Sequence, residues 1–256
     1  YDPQGRGSTV RTMAAFWDTR PTHVVIAAPT LLHVPLTLSA LKHGAHVLLE
    51  KPMAPHGVEA DLLAAYVRRH PWPRVMLNHG ERWNGPMPDV LRHRGGVPLC
   101  VTALRESEGP QYETPILRLM IHDIDLVHTL YEGRLLHAQL LTPCEAILVY
   151  EQGTAHLRVG IGRRRQMDLY YRHQVQHVDF TQDAPLIRVW RHFLRDILVP
   201  DFHSFYASFR VALALMRDTR REEVRRPSLP QSSAPRADAP GRTRPAPASP
   251  RPPGRG

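Results

Sequence analysis

Three groups of residues in this sequence carry chemistry that packing alone does not call for. The first is Glu50-Lys51-Pro52, a carboxylate, an ammonium and a proline directly after the apolar run Ala45–Leu49. Such a trio is poor packing material at a strand end, whereas an ammonium placed there can hold charge developing on an oxygen. The second is Pro115–Leu130. At about 100° per residue, Arg118, His122, Asp125 and Thr129 fall in one narrow stripe. Ile116, Leu117, Leu119, Met120, Ile121, Ile124, Leu126 and Val127 cover the rest. A helix apolar on nearly every side is buried, so its polar stripe is hydrogen-bonded or lines a cavity. One buried histidine is usually a satisfied core residue; a stripe of four polar groups is better explained by a site. An imidazole in it can move a proton near neutral pH. The third is His79-Gly80-Glu81-Arg82-Trp83-Asn84-Gly85-Pro86, where Arg82 is either a contact for an anion or hydroxyl or a surface arginine in a Gly-Pro loop.

The elements that must position these groups follow from the pattern. His23–Ala28 is a short β-branched run, the mark of a strand buried on both faces of a parallel sheet. Pro29 and Thr30 stop it. Leu36–His43 has helical spacing with Pro35 tolerated in the first turn and Gly44 at the C-cap. Ala45–Leu49 is the next strand, completing a βαβ unit in which ligands gather beyond the carboxyl ends of the strands. Pro29–His33 and Glu50–Pro52 both fall at that edge. His56–His70 reads as an amphipathic helix with Val58, Leu62, Leu63, Ala65 and Tyr66 inward, and Arg74–Asn78 as a further buried strand. Leu99–Arg105 opens a second set, continued by Leu135–Leu141, Ala146–Glu151, a Gln152-Gly153 turn, Thr154–Ile161, Met167–Arg172 and Val175–Phe180. Successive strands without helices between them mean an antiparallel sheet. Leu186–Val199 and Ser204–Arg221 read as helices, the latter with Ser204 placed to cap it.

Ala28-Pro29-Thr30 with His33, Ala40-Leu41 before Gly44, and His46-Val47-Leu48-Leu49-Glu50-Lys51-Pro52-Met53, in this order and spacing, resemble the glucose-fructose oxidoreductase, inositol dehydrogenase and MocA-like (Gfo/Idh/MocA) oxidoreductases. The likeness continues more thinly through most of residues 23–220. It implies an α/β plus α+β chain: a partial Rossmann-like parallel sheet in residues 1–98, then an antiparallel-sheet domain with helices on one side in 99–226. It implies NAD or NADP as cofactor, with Pro29, Thr30, His33, Glu50, Lys51 and Pro52 toward the nicotinamide end. Lys51 would then sit at the carbinol carbon and stabilise the oxygen charge as hydride leaves. His122-Asp123-Ile124-Asp125-Leu126 looks like the family's His-x-x-Asp segment, whose histidine takes the hydroxyl proton. The family's aspartate one turn earlier is replaced by Arg118, which cannot accept a proton and whose charge would lower a neighbouring histidine pKa. Residues 79–86 resemble the Gly-His-x-Glu-Arg-Phe-Asn-Pro turn of a subgroup acting on nucleotide-linked N-acetyl sugars, with Trp83 for Phe and Gly85 before Pro86. This places Arg82, Asn84, Arg118 and Asp125 on the substrate side. Asp2 is either the acidic residue that bonds the adenosine ribose or a turn aspartate before Pro3. No Gly-x-Gly-x-x-Gly follows a strand; Gly5-Arg6-Gly7 and Gly160-Ile161-Gly162 lack the pattern. The resemblance therefore implies a first strand and glycine turn preceding Tyr1.

Bulk properties narrow the alternatives. Of the formal charge of +9, about half sits in residues 227–256, where five arginines face Asp238 amid Pro, Ala, Ser and Gly. That composition reads as a disordered tail, without the aromatic interleaving of a nucleic-acid arm. No apolar run is long enough for a membrane helix, and two cysteines suggest a reducing, cytoplasmic setting. Sixteen histidines raise a metal alternative, but His43/His46 and His173/His177 lack thiolate or carboxylate companions. The expectation is an NAD(P)-dependent oxidoreductase acting on a sugar or nucleotide sugar, a homo-oligomer by resemblance. Its rival is a degenerate or truncated member that binds a sugar, or acts as an interaction protein, without turnover.

Overall fold

The computed structural model describes residues 10–92, 96–109, 114–132, 134–181, 185–195 and 202–225. Asp2, the Gly5–Gly7 stretch and the 227–256 tail lie outside them. A short helix, α1 (Met13–Asp18), begins the described chain; Thr12 caps it, its hydroxyl accepting from Ala15 N at 3.1 Å. The periodicity of so short a helix gives no signal, and sequence reading passes over it. Then come β1 (His23–Ile26), a 3-10 turn (Thr30–Leu32), α2 (His33–Lys42), β2 (His46–Leu49), α3 (Gly57–Arg69) and β3 (Val75–Leu77). The strands form a parallel sheet ordered β1-β2-β3, with His23 opposite His46 and Val47 opposite Val75.

β2 lies in the middle and is buried throughout, as its unbroken apolar run requires. β1 does not follow that rule. It is an edge strand among the described residues, and Val25 on its outer side is exposed. The inward face of α3 is also turned from the sequence reading: Ala60, Leu63 and Ala64 are buried, while Val58 and Leu62 face outward. Two alanines one turn apart let α3 pack closely, and that packing outweighs the larger side chains beside them.

A 3-10 turn (Gly80–Trp83) and the single turn α4 (Met87–Val90) lead to the second sheet. Its strands are β4 (Cys100–Glu106), β5 (Leu135–Thr142), β6 (Glu145–Tyr150), β7 (Thr154–Gly160), β8 (Arg165–Tyr170) and β9 (Val175–Asp179), in the order β5-β6-β7-β4-β8-β9. Neighbours run antiparallel except β4 and β7, which are parallel. The reason is the connection: after β4 the chain crosses through a π-helical turn (Ile116–Met120) and α5 (Ile121–Tyr131) to the far edge, then meanders back beside β4. The β6–β7 turn is closed by Gly153, where an added Cβ would lie 2.7 Å from both Leu99 O and the Tyr131 hydroxyl.

Two more helices, α6 (Leu186–Arg195) and α7 (Phe202–Arg225), complete the described chain. α7 packs on α5 and β5, so helices cover one side of the second sheet. α6 instead returns to the first sheet, where Val189 and Phe193 bury against Leu48 and Met76. Otherwise one apolar core runs through both sheets. No helix among the described residues is long and apolar enough to cross a membrane.

Candidate active site

Lys51 emerges where β2 ends. Glu50 N still bonds Ile26 O at 2.9 Å, and the Glu50 carboxylate accepts from Asn78 Nδ2 beyond β3 and from Lys51 N. Braced in this way, the strand end sends Lys51 toward the start of α5, where Nζ donates to Arg118 O at 3.1 Å. That carbonyl belongs to the π-helical turn; such widened turns recur at functional sites. Pro29 is exposed and Thr30 half-buried at the same edge. His33 is buried, its Nδ1 2.7 Å from Pro52 O and its Nε2 2.8 Å from Ala28 O. Both ring nitrogens serve to tie the two strand-end loops together, so His33 and the buried Pro52 shape the edge without offering polar side-chain atoms to a ligand.

The polar stripe of the buried helix divides into satisfied and unsatisfied members. Asp125 is fully buried and accepts a fork from Arg82, Nε and Nη2 each at 2.6 Å, and a bond from Ser208 Oγ at 3.1 Å. His79 Nδ1 lies 3.2 Å from its other oxygen. Burial pushes the Asp125 pKa up, but Arg82 and His79 outweigh it and hold the carboxyl far below the usual range. Arg82 also donates to Ser204 Oγ at 2.9 Å and stacks over Phe205. It is therefore neither a surface arginine nor open to an anion. Arg82 and Asp125, read from sequence as substrate contacts, bind each other, because a bidentate buried pair satisfies both charges. Ser204 lies inside α7 rather than at its cap and pairs with Thr129 Oγ1 at 3.4 Å.

Asn84 is likewise turned inward, its Oδ1 buried without a hydrogen-bond partner. It is buried, and its Nδ2 donates to Glu81 Oε2 at 2.8 Å and Phe180 O at 3.2 Å. Glu81 is held in turn by Arg105 Nη1 at 2.6 Å, and Arg105 forks onto Asp123 through Nη2 at 2.7 Å and Nε. Burial opposes the Arg105 charge, yet Asp123 and Glu81 overcome it and raise its pKa. Sequence reading did not single out this triad. One signal was present: Val101, Ala103 and Arg105 share a strand face, so Arg105 had to point into the core and find acids there.

His122 remains. Its Nδ1 is buried with no hydrogen-bond partner. Burial, then the charges of Arg105, His79 and Lys51, hold its pKa well below the ordinary 6.5, against a smaller upward pull from Asp125. Arg118 is not among these causes: its Nη1 is drawn off to Gly109 O at 2.8 Å, with Nη2 near Ser107 O. Lys51 and His122 are thus brought to the same segment, one on a carbonyl of the turn preceding the other, close enough for charge to be felt. A neutral imidazole beside an ammonium can take a proton while the ammonium steadies the oxyanion left behind. Because the folded pKa is depressed, the stability His122 confers is present above 6.5 and is lost as pH falls toward the folded value. We expect an NMR titration to find its ring neutral at about pH 6; a midpoint at the ordinary value would refute the burial argument.

Among the described residues, no group of three or more His, Cys, Asp or Glu is placed to hold a metal ion. Gly160-Ile161-Gly162 lies in the turn between β7 and β8 and opens no helix.

Residues 10–79 match a family described as an oxidoreductase family with an NAD-binding Rossmann fold. No curated protein matches the chain. Among solved structures, UDP-N-acetylglucosamine 3-dehydrogenase GnnA from Acidithiobacillus ferrooxidans is similar at TM-score 0.69 and 22% identity, over 82% of this chain and 81% of that one. The WlbA (WbpB) dehydrogenase from Thermus thermophilus, solved with NAD and alpha-ketoglutarate, is similar at TM-score 0.63 and 21% identity, over 79% and 76%. Its complex with NAD and UDP-GlcNAcA gives 0.61 and 21%, over 76% and 71%. At these identities the likeness establishes a shared fold.

Proposed function

We propose, from the match of residues 10–79 to an oxidoreductase family with an NAD-binding Rossmann fold, that the chain is a dehydrogenase of the Gfo/Idh/MocA type that oxidises a hydroxyl of a nucleotide-linked sugar to a ketone, or the reverse, with NAD or NADP. The observation that carries this reading is the meeting of Lys51 and His122: Nζ anchored on Arg118 O, one helical turn before an imidazole kept neutral with a buried, unpartnered Nδ1. An orphaned proton acceptor beside an ammonium at the carboxyl ends of parallel strands suits the nicotinamide end of a dinucleotide. Pro29, Thr30, Glu50 and Lys51 would hold that end, with His33 and Pro52 shaping it.

When bound, the cofactor supplies the hydride acceptor. His122 takes the hydroxyl proton, and its depressed pKa keeps it in the receptive form. Lys51 stabilises the oxygen charge, its ammonium held in place on Arg118 O. Asp125 and Arg82 position the helix and the 79–84 turn without touching substrate. The nucleotide sugar is favoured over a free sugar by the relatives' own ligands, UDP-N-acetylglucosamine in one name and UDP-GlcNAcA in another.

A non-catalytic reading is favoured by one observation, Arg118, a guanidinium one helical turn before His122 that cannot take up a proton. Titrating the purified chain with NADH while following cofactor fluorescence, then adding UDP-N-acetylglucosamine and NAD, separates the two. Micromolar NADH binding and NADH formation are expected. Cofactor binding without turnover of any nucleotide sugar would leave the binding-protein reading standing.

A further inference from the structure

A cavity of about 450 Å³ opens at the end of the second sheet, its Phe180 wall backed by the Arg105 guanidinium. Residues 106–109 after β4 form one wall, Gly162, Arg163 and Arg165 around the β7–β8 turn form another, and Phe180 and Thr181 close it. The balance of charge there is decided by geometry. Glu106 is turned into the β7–β8 turn, accepting from Arg164 N at 3.1 Å and Arg164 Nη2 at 2.8 Å. Only glycine at 162 allows this: its φ is +146°, and a Cβ would lie 2.3 Å from Glu106 Oε2. Glu106 is thereby neutralised by Arg164. Glu108 meets Arg163 Nε at 2.9 Å, but both side chains are largely exposed, and so open a pair contributes little and exchanges readily. Arg165 has no side-chain partner among the described residues. Two guanidiniums therefore face the cavity with their charge available or easily released.

One residue, Arg118, links the wall of the cavity to Lys51. Gly109 in its wall accepts from the Arg118 guanidinium, and the Arg118 carbonyl holds Lys51. A ligand whose sugar ring lay at Lys51 and His122 would pass Arg118 to reach the cavity. We propose that this cavity is the diphosphate subsite for a nucleotide-linked sugar, with Arg163 and Arg165 as its phosphate ligands. The proposal rests on the dehydrogenase reading above and adds where the substrate's charge is recognised. Planar guanidinium forks match phosphate oxygens, and two of them flanking one cavity suit a diphosphate better than a neutral sugar.

Isothermal titration with uridine 5′-diphosphate as the probe, on the parent chain, Arg165→Ala and Arg163→Ala/Arg165→Ala, tests it, with NADH titrated in parallel. Both arginines are exposed, so circular dichroism should be unchanged. The single variant is expected to weaken binding about tenfold and the double about a hundredfold, with NADH affinity unaltered. Equal binding by all three chains, or no binding by the parent while NADH binds, would overturn the subsite and leave the dehydrogenase reading intact. Binding that follows the arginines while NADH fails to bind would uphold the subsite and overturn the dehydrogenase. If neither ligand binds the parent, both fall.

Discussion

Lys51→Met is expected to lower kcat roughly a hundred- to a thousandfold, about 2.7 to 4 kcal/mol of lost oxyanion stabilisation, while the chain stays folded. The structural part of the loss is small. Lys51 is half-buried, and its hydrogen bond to Arg118 O is worth about 1 kcal/mol net, a melting shift of about 2–4 °C. A large kinetic loss with a small thermal one would locate the effect in chemistry. KM should move less than kcat, because the charge that Lys51 meets grows during hydride transfer. Lys51→Arg keeps the charge but spreads it over a planar group, and only partial rescue is expected. Full activity in Lys51→Met would sink the assignment outright.

Arg105→Met should be the most destabilising single change among the site's neighbours, about 3–5 kcal/mol and roughly 10 °C or more in melting temperature. The guanidinium is the common partner of two buried acids, Glu81 and Asp123. Removing it leaves both without their cation. Burial, reinforced by Glu81's charge, already raises the Asp123 pKa even with Arg105 in place. The triple variant Arg105→Met/Glu81→Gln/Asp123→Asn should recover most of the loss, because a neutral core replaces unpaired charge. Thermal melts of the single and triple variants decide it; a single variant that melts like the parent would show the triad to be dispensable. There is also a kinetic signature. Arg105 is the largest charge contribution lowering the His122 pKa, so the acid limb of the pH–rate profile should move upward in the variant.

The elements were legible because their periodicities are local. β2, β4, β6 and β7 follow alternation or unbroken apolar runs, and Glu50-Lys51-Pro52 stands out by breaking such a run. The stripe on the α5 helix was legible too, as a face. What each member does was not. Asp125 and Thr129 are satisfied by Arg82 and Ser204, residues distant in sequence, and no spacing rule brings α7 to that face. Arg118 stands on the stripe, but its long side chain leaves it for loop carbonyls, so the lowering of the His122 pKa comes from burial and, among the charges, first from Arg105. The parallel β4–β7 pair escaped notice for a similar reason: strand direction depends on where a crossover returns, not on the strand's own residues.

The short 79–84 turn has a mechanical consequence. His79 and Arg82 grip Asp125 on α5 while Glu81 and Asn84 reach Arg105 on β4 and the carbonyl beyond β9. A few residues leaving the parallel sheet are thus riveted to α5, to β4 and to the chain just beyond β9. The two halves cannot swing open like a clamshell without breaking buried charge pairs, so a substrate of the dehydrogenase proposed above would enter and leave past the strand-end loops.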